Sequence, residues 1–176
     1  MWPRAGLKDN PQLLISLLNT GYDAVKEIFP KCSVVTHLAC LNDKRECDPF
    51  IEVFYAYGGK TDIFGFSFYP YWFDAPYDVP FIYGQMAYFH DKIKKPIMIV
   101  EIGGEEIKPD LTYEILKNTI DAGHLLPEDA VQGIFYWEPC AGADFLPDHY
   151  PLGASKTVGP DALQMTRAME ALRDAI

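Results

Sequence analysis

The stretch KKPIMIVEIGG, Lys94 to Gly104, decides how this chain is read. Ile97, Met98, Ile99 and Val100 form an unbroken apolar run after Pro96, the pattern of a strand buried on both faces. The run ends in a carboxylate, Glu101, and breaks at once into Gly103 and Gly104. An ionised carboxylate entering a core is costly unless it is paired or hydrogen-bonded. A glutamate at that point therefore needs partners, a task, or both.

Working outward, three more apolar runs of strand length flank this one: CSVVTHLA (32–39), DIFGFSFYPYW (62–72) and QGIFYWEP (132–139). Amphipathic segments separate them. NPQLLISLLNTGYDAVKEIFP reads as a helix with Asn10 at its N-cap, Pro11 in its first turn and Pro30 as its stop. Asp48 and Pro49 open a second helix that closes at Gly58 and Gly59. A third runs from about Val79 to Lys94, a fourth covers LTYEILKNTIDAGH, and Pro160 opens a last helix through PDALQMTRAMEALRDAI. Strands alternating with helices predict a parallel sheet covered by helices, within one unit spanning residues 1–176. No glycine-rich phosphate loop follows the first strand, which disfavours a dinucleotide fold. Periodicity alone leaves a doubly wound sheet and part of a (β/α)8 barrel both open.

Composition narrows the partner. The net charge of -10 argues against nucleic acid and against an anionic membrane surface, and no run is long enough to cross a bilayer. Aromatic residues make up 14% of the chain, which suits a neutral polar ligand with flat apolar faces, such as a sugar. The four cysteines, Cys32, Cys40, Cys47 and Cys140, match no zinc spacing and read as buried free thiols, so neither metal nor cofactor is expected. The N-terminus, MWPRAGLKDNP, carries no apolar signal core.

Polar and aromatic groups collect at the C-terminal ends of the strands, where parallel α/β folds build their chemistry. His37 ends the first; Ser67, Tyr69, Tyr71 and Trp72 end the second; Glu101 ends the third; Trp137 and Glu138 end the fourth. Taken singly, His37 reads as a structural histidine and the aromatics as core caps, and Glu138, before Pro139, is as readily structural as catalytic. Glu101 is harder to explain as structure. A strand-end glutamate among Tyr, His and Trp suits glycosidic chemistry, in which one carboxylate attacks the anomeric carbon and a second protonates the leaving oxygen. A hydroxyl such as that of Tyr69 would hold the nucleophile ionised, and an indole such as Trp137 would carry the pyranose face.

LLNTGYDAVKEIFPKCSVVTHLA, DIFGFSFYPYW, PIMIVEIGG and GIFYWEP occur in the order and spacing of glycoside hydrolase family 53, the arabinogalactan endo-β-1,4-galactanases, and the chain resembles that family over nearly its whole length. The resemblance implies the last four βα units, strands 5 to 8, of a (β/α)8 barrel that hydrolyses β-1,4-galactan of plant cell walls with retention. It makes Glu101 the nucleophile, and His37, Ser67, Tyr69, Trp72 and Trp137 substrate-binding residues, with Trp2 and Pro3 matching the tryptophan-proline just after the fourth strand. Ala39 stands where the family usually has an acid, Phe68 where tyrosine is common, Phe73 where histidine often follows the tryptophan, and Ile102-Gly103-Gly104 forms a variant loop after Glu101. These departures bear on glycan preference more than on reaction class.

The resemblance also implies an Asn-Glu pair, carrying the acid/base, a few residues before Trp2. The expectation is therefore a fragment that lacks that glutamate, is inactive alone, and self-associates through unpaired sheet edges. The parent enzyme is expected to be secreted or periplasmic. A non-catalytic glycan-binding or inert half barrel, and another clan A glycosidase acting on mannan or xylan, stay open as alternatives.

Overall fold

The computed structural model describes residues 9–140, 142 and 150–175. Four helix-strand steps open the fold: α1 (Pro11–Ile28), β1 (Val35–Leu38), α2 (Lys44–Ala56), β2 (Ile63–Phe68), a short α3 (Pro70–Phe73), α4 (Val79–Ile93), β3 (Ile97–Ile102), α5 (Pro109–His124) and β4 (Val131–Tyr136). A hairpin, β5 (Ser155–Gly159) and β6 (Ala162–Met165), then leads to a 3-10 turn (Arg167–Met169) and to α6 (Glu170–Arg173). Strands β1 to β4 form one parallel sheet in sequence order. Sequential parallel strands with helical crossovers are consecutive βα units of a (β/α)8 barrel.

Local chemistry sets the helix starts. Asn10 accepts from the Leu13 N–H at 3.1 Å ahead of Pro11, and Asp78 accepts from the Phe81 N–H at 2.9 Å ahead of α4. Lys94 ends α4 in the left-handed region, its N–H bonded to the His90 carbonyl. The second helix begins earlier than Asp48. Asp43 caps it through the Arg45 N–H at 2.9 Å, and Pro49 lies inside, where it gives up only one backbone bond. The last segment also differs from expectation. Pro160 and Asp161 make the turn of the β5–β6 hairpin, since Thr157 and Val158 favour a strand and proline suits a tight turn, so helix returns only near Arg167.

One face of the sheet is the core. Phe66 stacks on Phe89 of α4 with ring centroids 4.7 Å apart, and Phe64 meets Phe54 of α2 edge-on at 5.1 Å; all four are fully buried. Ile97, Ile99 and Ile102 of β3 join them. On the opposite face Gly65 lies so close to its neighbours that a Cβ there would stand 2.7 Å from Val100 and 2.8 Å from Val35. β1 and β4 are the outer strands, and Val35 and Phe135 on them are exposed.

The register of β3 is irregular in an informative way. Phe66 pairs with Ile99 but Ser67 pairs with Glu101, so Val100 is an extra residue in β3, a bulge. The step against β4 agrees, Ile99 to Ile102 spanning Ile134 to Tyr136. Strict alternation would send Glu101 to the helix side with Ile97 and Ile99. The bulge breaks the alternation, leaving Val100 and Glu101 both part-buried and returning Ile102 to the core.

The cysteines split. Cys40 and Cys47 are buried as expected, while Cys32 and Cys140 are exposed, contrary to the uniform burial expected, because both lie in surface connections; all four are free thiols. Among the described residues no helix is long and apolar enough to cross a membrane.

Candidate active site

Glu101 leaves the sheet facing hydroxyl donors. The Ser67 hydroxyl donates to Glu101 Oε2 at 3.0 Å, and the Tyr69 hydroxyl donates to the same oxygen at 3.3 Å. Ser67 has one proton and spends it on the carboxylate. It therefore accepts from His37 Nε2, 2.7 Å away, which sets the imidazole proton on Nε2. His37 Nδ1 then stands 3.9 Å from Glu101 Oε1. One carboxylate oxygen is held by two donors while the other is left open.

Tyr69 is 7% exposed, and burial, with the Tyr150 hydroxyl beside it and the Glu101 charge, pushes its phenol well above the usual range. Burial raises Tyr150 too, with Glu101 and Glu138 adding repulsion. Both phenols stay protonated and remain donors at any physiological pH.

Trp72 lies in α3, half exposed, its ring 6.4 Å from that of Tyr150 and edge-on to Tyr71 at 4.6 Å. Trp137, 45% exposed, follows β4, and its backbone N–H donates at 3.0 Å to the carbonyl of Ile102, the residue next to Glu101. The structure thus joins Glu101, Ser67, Tyr69 and His37 by direct contact and sets Trp72 and Trp137 on the rim; Trp2 lies outside the described residues. Glu138 is exposed, with a left-handed backbone at φ 51°. Among the described residues no group of three or more His, Cys, Asp or Glu side chains could hold a metal ion.

Tyr150 is the site residue that sequence reasoning missed. Its hydroxyl is buried beside that of Tyr69, with no hydrogen bond of ordinary geometry. The segment carrying it is pinned to the strand ends: Glu106 N–H donates to the Pro151 carbonyl at 3.0 Å and the Tyr136 hydroxyl to the Leu152 carbonyl at 2.8 Å. Gly103 makes room for this, since a Cβ there would stand 3.2 Å from the Leu152 carbonyl and 3.2 Å from the Tyr69 ring. Only a tyrosine count in the tail could have flagged it.

A barrel strand end presenting a hydroxyl-anchored carboxylate among half-exposed indoles defines the class: part of a (β/α)8 barrel carrying an acidic, aromatic-rimmed site. A family model for glycosyl hydrolase family 53 matches residues 1–146, and the chain belongs to that family. Comparison with curated proteins gives no match. Among solved structures, a fungal β-1,4-galactanase superposes with a TM-score of 0.76 at 17% identity, covering 93% of this chain and 55% of its own. A GH53 catalytic domain from Ignisphaera aggregans gives 0.58 at 20% identity, with 73% and 41% covered. The β-glycosidase BGL167 gives 0.61 at 13% identity, with 92% and 46% covered. The chain spans about half the length of the solved structures it matches.

Proposed function

We propose that this chain, as a single unit, supplies the nucleophile-bearing part of a retaining endo-β-1,4-galactanase acting on galactan or arabinogalactan. The observation that carries the reading is the asymmetric anchoring of Glu101, Oε2 held by Ser67 and Tyr69 and Oε1 left open. Oε1 would form a bond to the anomeric carbon as the glycosidic C–O bond breaks, giving a glycosyl ester. Water would then displace the carboxylate with retention. His37 orients Ser67, and the Trp137 and Trp72 indoles would carry sugar faces. A polymeric wall glycan places the working enzyme outside the cytoplasm.

Retention requires a second carboxyl about 5–5.5 Å from the first. In this reading it lies outside these four strands, on the strand that the resemblance places before Trp2. Mixing the chain with the complementary N-terminal half of a family 53 barrel is expected to restore galactan hydrolysis, and Glu101→Gln to abolish it. Restored activity that survives Glu101→Gln would show that the nucleophile lies elsewhere.

The half-exposed Trp72 and Trp137 favour one further reading, glycan binding without turnover. Titration of the complemented barrel with galacto-oligosaccharides separates the two: binding with no product release supports the lectin-like case.

A further inference from the structure

The glutamate cluster leaves a second concavity unused. A cleft of about 540 Å³ opens between the β1–α2 connection and the segment after β2, bordered by Asn42, Asp43, Phe73, Asp74, Phe81 and Gln85. It adjoins the cluster directly. The Leu41 N–H donates to the Ser67 carbonyl at 2.9 Å, so Asn42 follows a residue bonded to the strand end that holds Glu101. Phe73 follows Trp72 in α3, and Trp72 neighbours Tyr150.

Two cations border the cleft as well, Lys44 and Arg45, and both are committed. Arg45 donates through Nε and Nη2 to Asp43 at 3.2 and 3.0 Å. The Lys44 ammonium sits 4.0 Å from the centroid of the Tyr88 ring. What remains for a ligand is a set of acceptors and an apolar ring. Asn42 Oδ1 and Gln85 Oε1 are buried and have no hydrogen-bond partner, Asp74 adds a carboxylate, and Phe73 is 49% exposed. Unsatisfied acceptors call for hydroxyl donors, and an open phenyl ring calls for a flat C–H face. A sugar ring offers both, and the volume falls within the roughly 300–1,000 Å³ of small-molecule sites.

We propose that this cleft is a glycan subsite, holding a neutral hexopyranosyl unit of the same chain whose reacting residue sits at Glu101, with Phe73 as its platform. The proposal rests on the glycosidase reading and deepens it, since a remote subsite turns chain length into affinity and favours cleavage within polymers.

Isothermal titration of the complemented barrel carrying Glu101→Gln, which binds without turnover, with β-1,4-galactobiose and β-1,4-galactohexaose tests it. Hexaose is expected to bind at least about tenfold more tightly than biose. Phe73→Ala should weaken hexaose binding about five- to tenfold and leave biose within about twofold. Asp74→Asn, which keeps a residue tolerant of the left-handed backbone at φ 46°, should likewise alter hexaose binding alone. If Phe73→Ala leaves hexaose unchanged, or weakens both sugars equally, the subsite is overturned while weaker biose binding in Trp137→Ala still upholds the Glu101 site. If neither sugar binds, subsite and glycosidase reading fall together.

Discussion

Ser67 and Glu101 are register partners on adjacent strands, and the serine hydroxyl donates to the carboxylate at 3.0 Å. The bond exists because the bulge at Val100 turns Glu101 toward the side on which Ser67 stands. Removing the hydroxyl should leave Oε2 with Tyr69 alone and free His37 to turn. Ser67→Ala is expected to lower kcat of the complemented barrel about 10- to 100-fold with little change in KM, read in steady-state galactan hydrolysis. An unchanged kcat would remove Ser67 from the mechanism.

Tyr150 offers a test that separates stability from function. Its buried hydroxyl stands beside that of Tyr69 without a hydrogen bond of ordinary geometry, so Tyr150→Phe removes a poorly satisfied polar group. The variant should gain about 1 kcal/mol, a rise of roughly 2–4 °C in Tm by calorimetry. If the hydroxyl serves the sugar instead, the same variant binds galacto-oligosaccharides more weakly, and the two readouts move in opposite directions.

Acid sensitivity should centre on Asp62. Its carboxylate accepts from the Val34 N–H at 2.8 Å and the Tyr22 hydroxyl at 3.1 Å, and pairs with Lys26 at 2.7 Å, tying α1 to the start of two strands. Partial burial pushes its pKa up, but the Lys26, Val34 and Tyr22 bonds outweigh that and hold it below the usual carboxylate value. A lowered folded pKa means stability present above the unfolded value, near 3.9, and lost as pH falls through the folded one. Asp62→Asn should cost about 1–2 kcal/mol at neutral pH in urea unfolding and flatten the decline of stability below about pH 4.

Thiol chemistry should divide the cysteines in pairs. Cys47 is 2% exposed, and burial pushes its thiol up to about 12; Cys40, beside it, is raised by the same cause. Cys32 and Cys140 are exposed. Native alkylation near pH 8 followed by peptide mass mapping should modify Cys32 and Cys140 and spare the other two. Rapid labelling of Cys47 would mean that α2 opens locally.

The four strands were legible because each is an apolar run fenced by proline, glycine or charge, and Glu101 stood out because it violates its own run. The second helix was misplaced because Pro49 resembles a first-turn proline, whereas Asp43 supplies the cap six residues earlier. The tail was misread because PDALQMT has helical composition, and the pairing of Ser155 with Met165 outweighs it. Neither the Val100 bulge nor Tyr150 could be read from local pattern. A bulge is a property of two strands compared, and Tyr150 is held at the cluster by bonds that Glu106 and Tyr136 make to carbonyls beyond it.

The extra residue in β3 has an evolutionary corollary. Whether the Glu101 side chain meets Ser67 and Tyr69 or the helices is decided by arithmetic along the ribbon rather than by the identity of any neighbour. A change that let β3 pair regularly with Val100 still in place would keep every functional group in the chain and turn Glu101 toward the phenylalanine layer. Loss of function in a lineage carrying this fold could therefore arise with all of its signature residues intact.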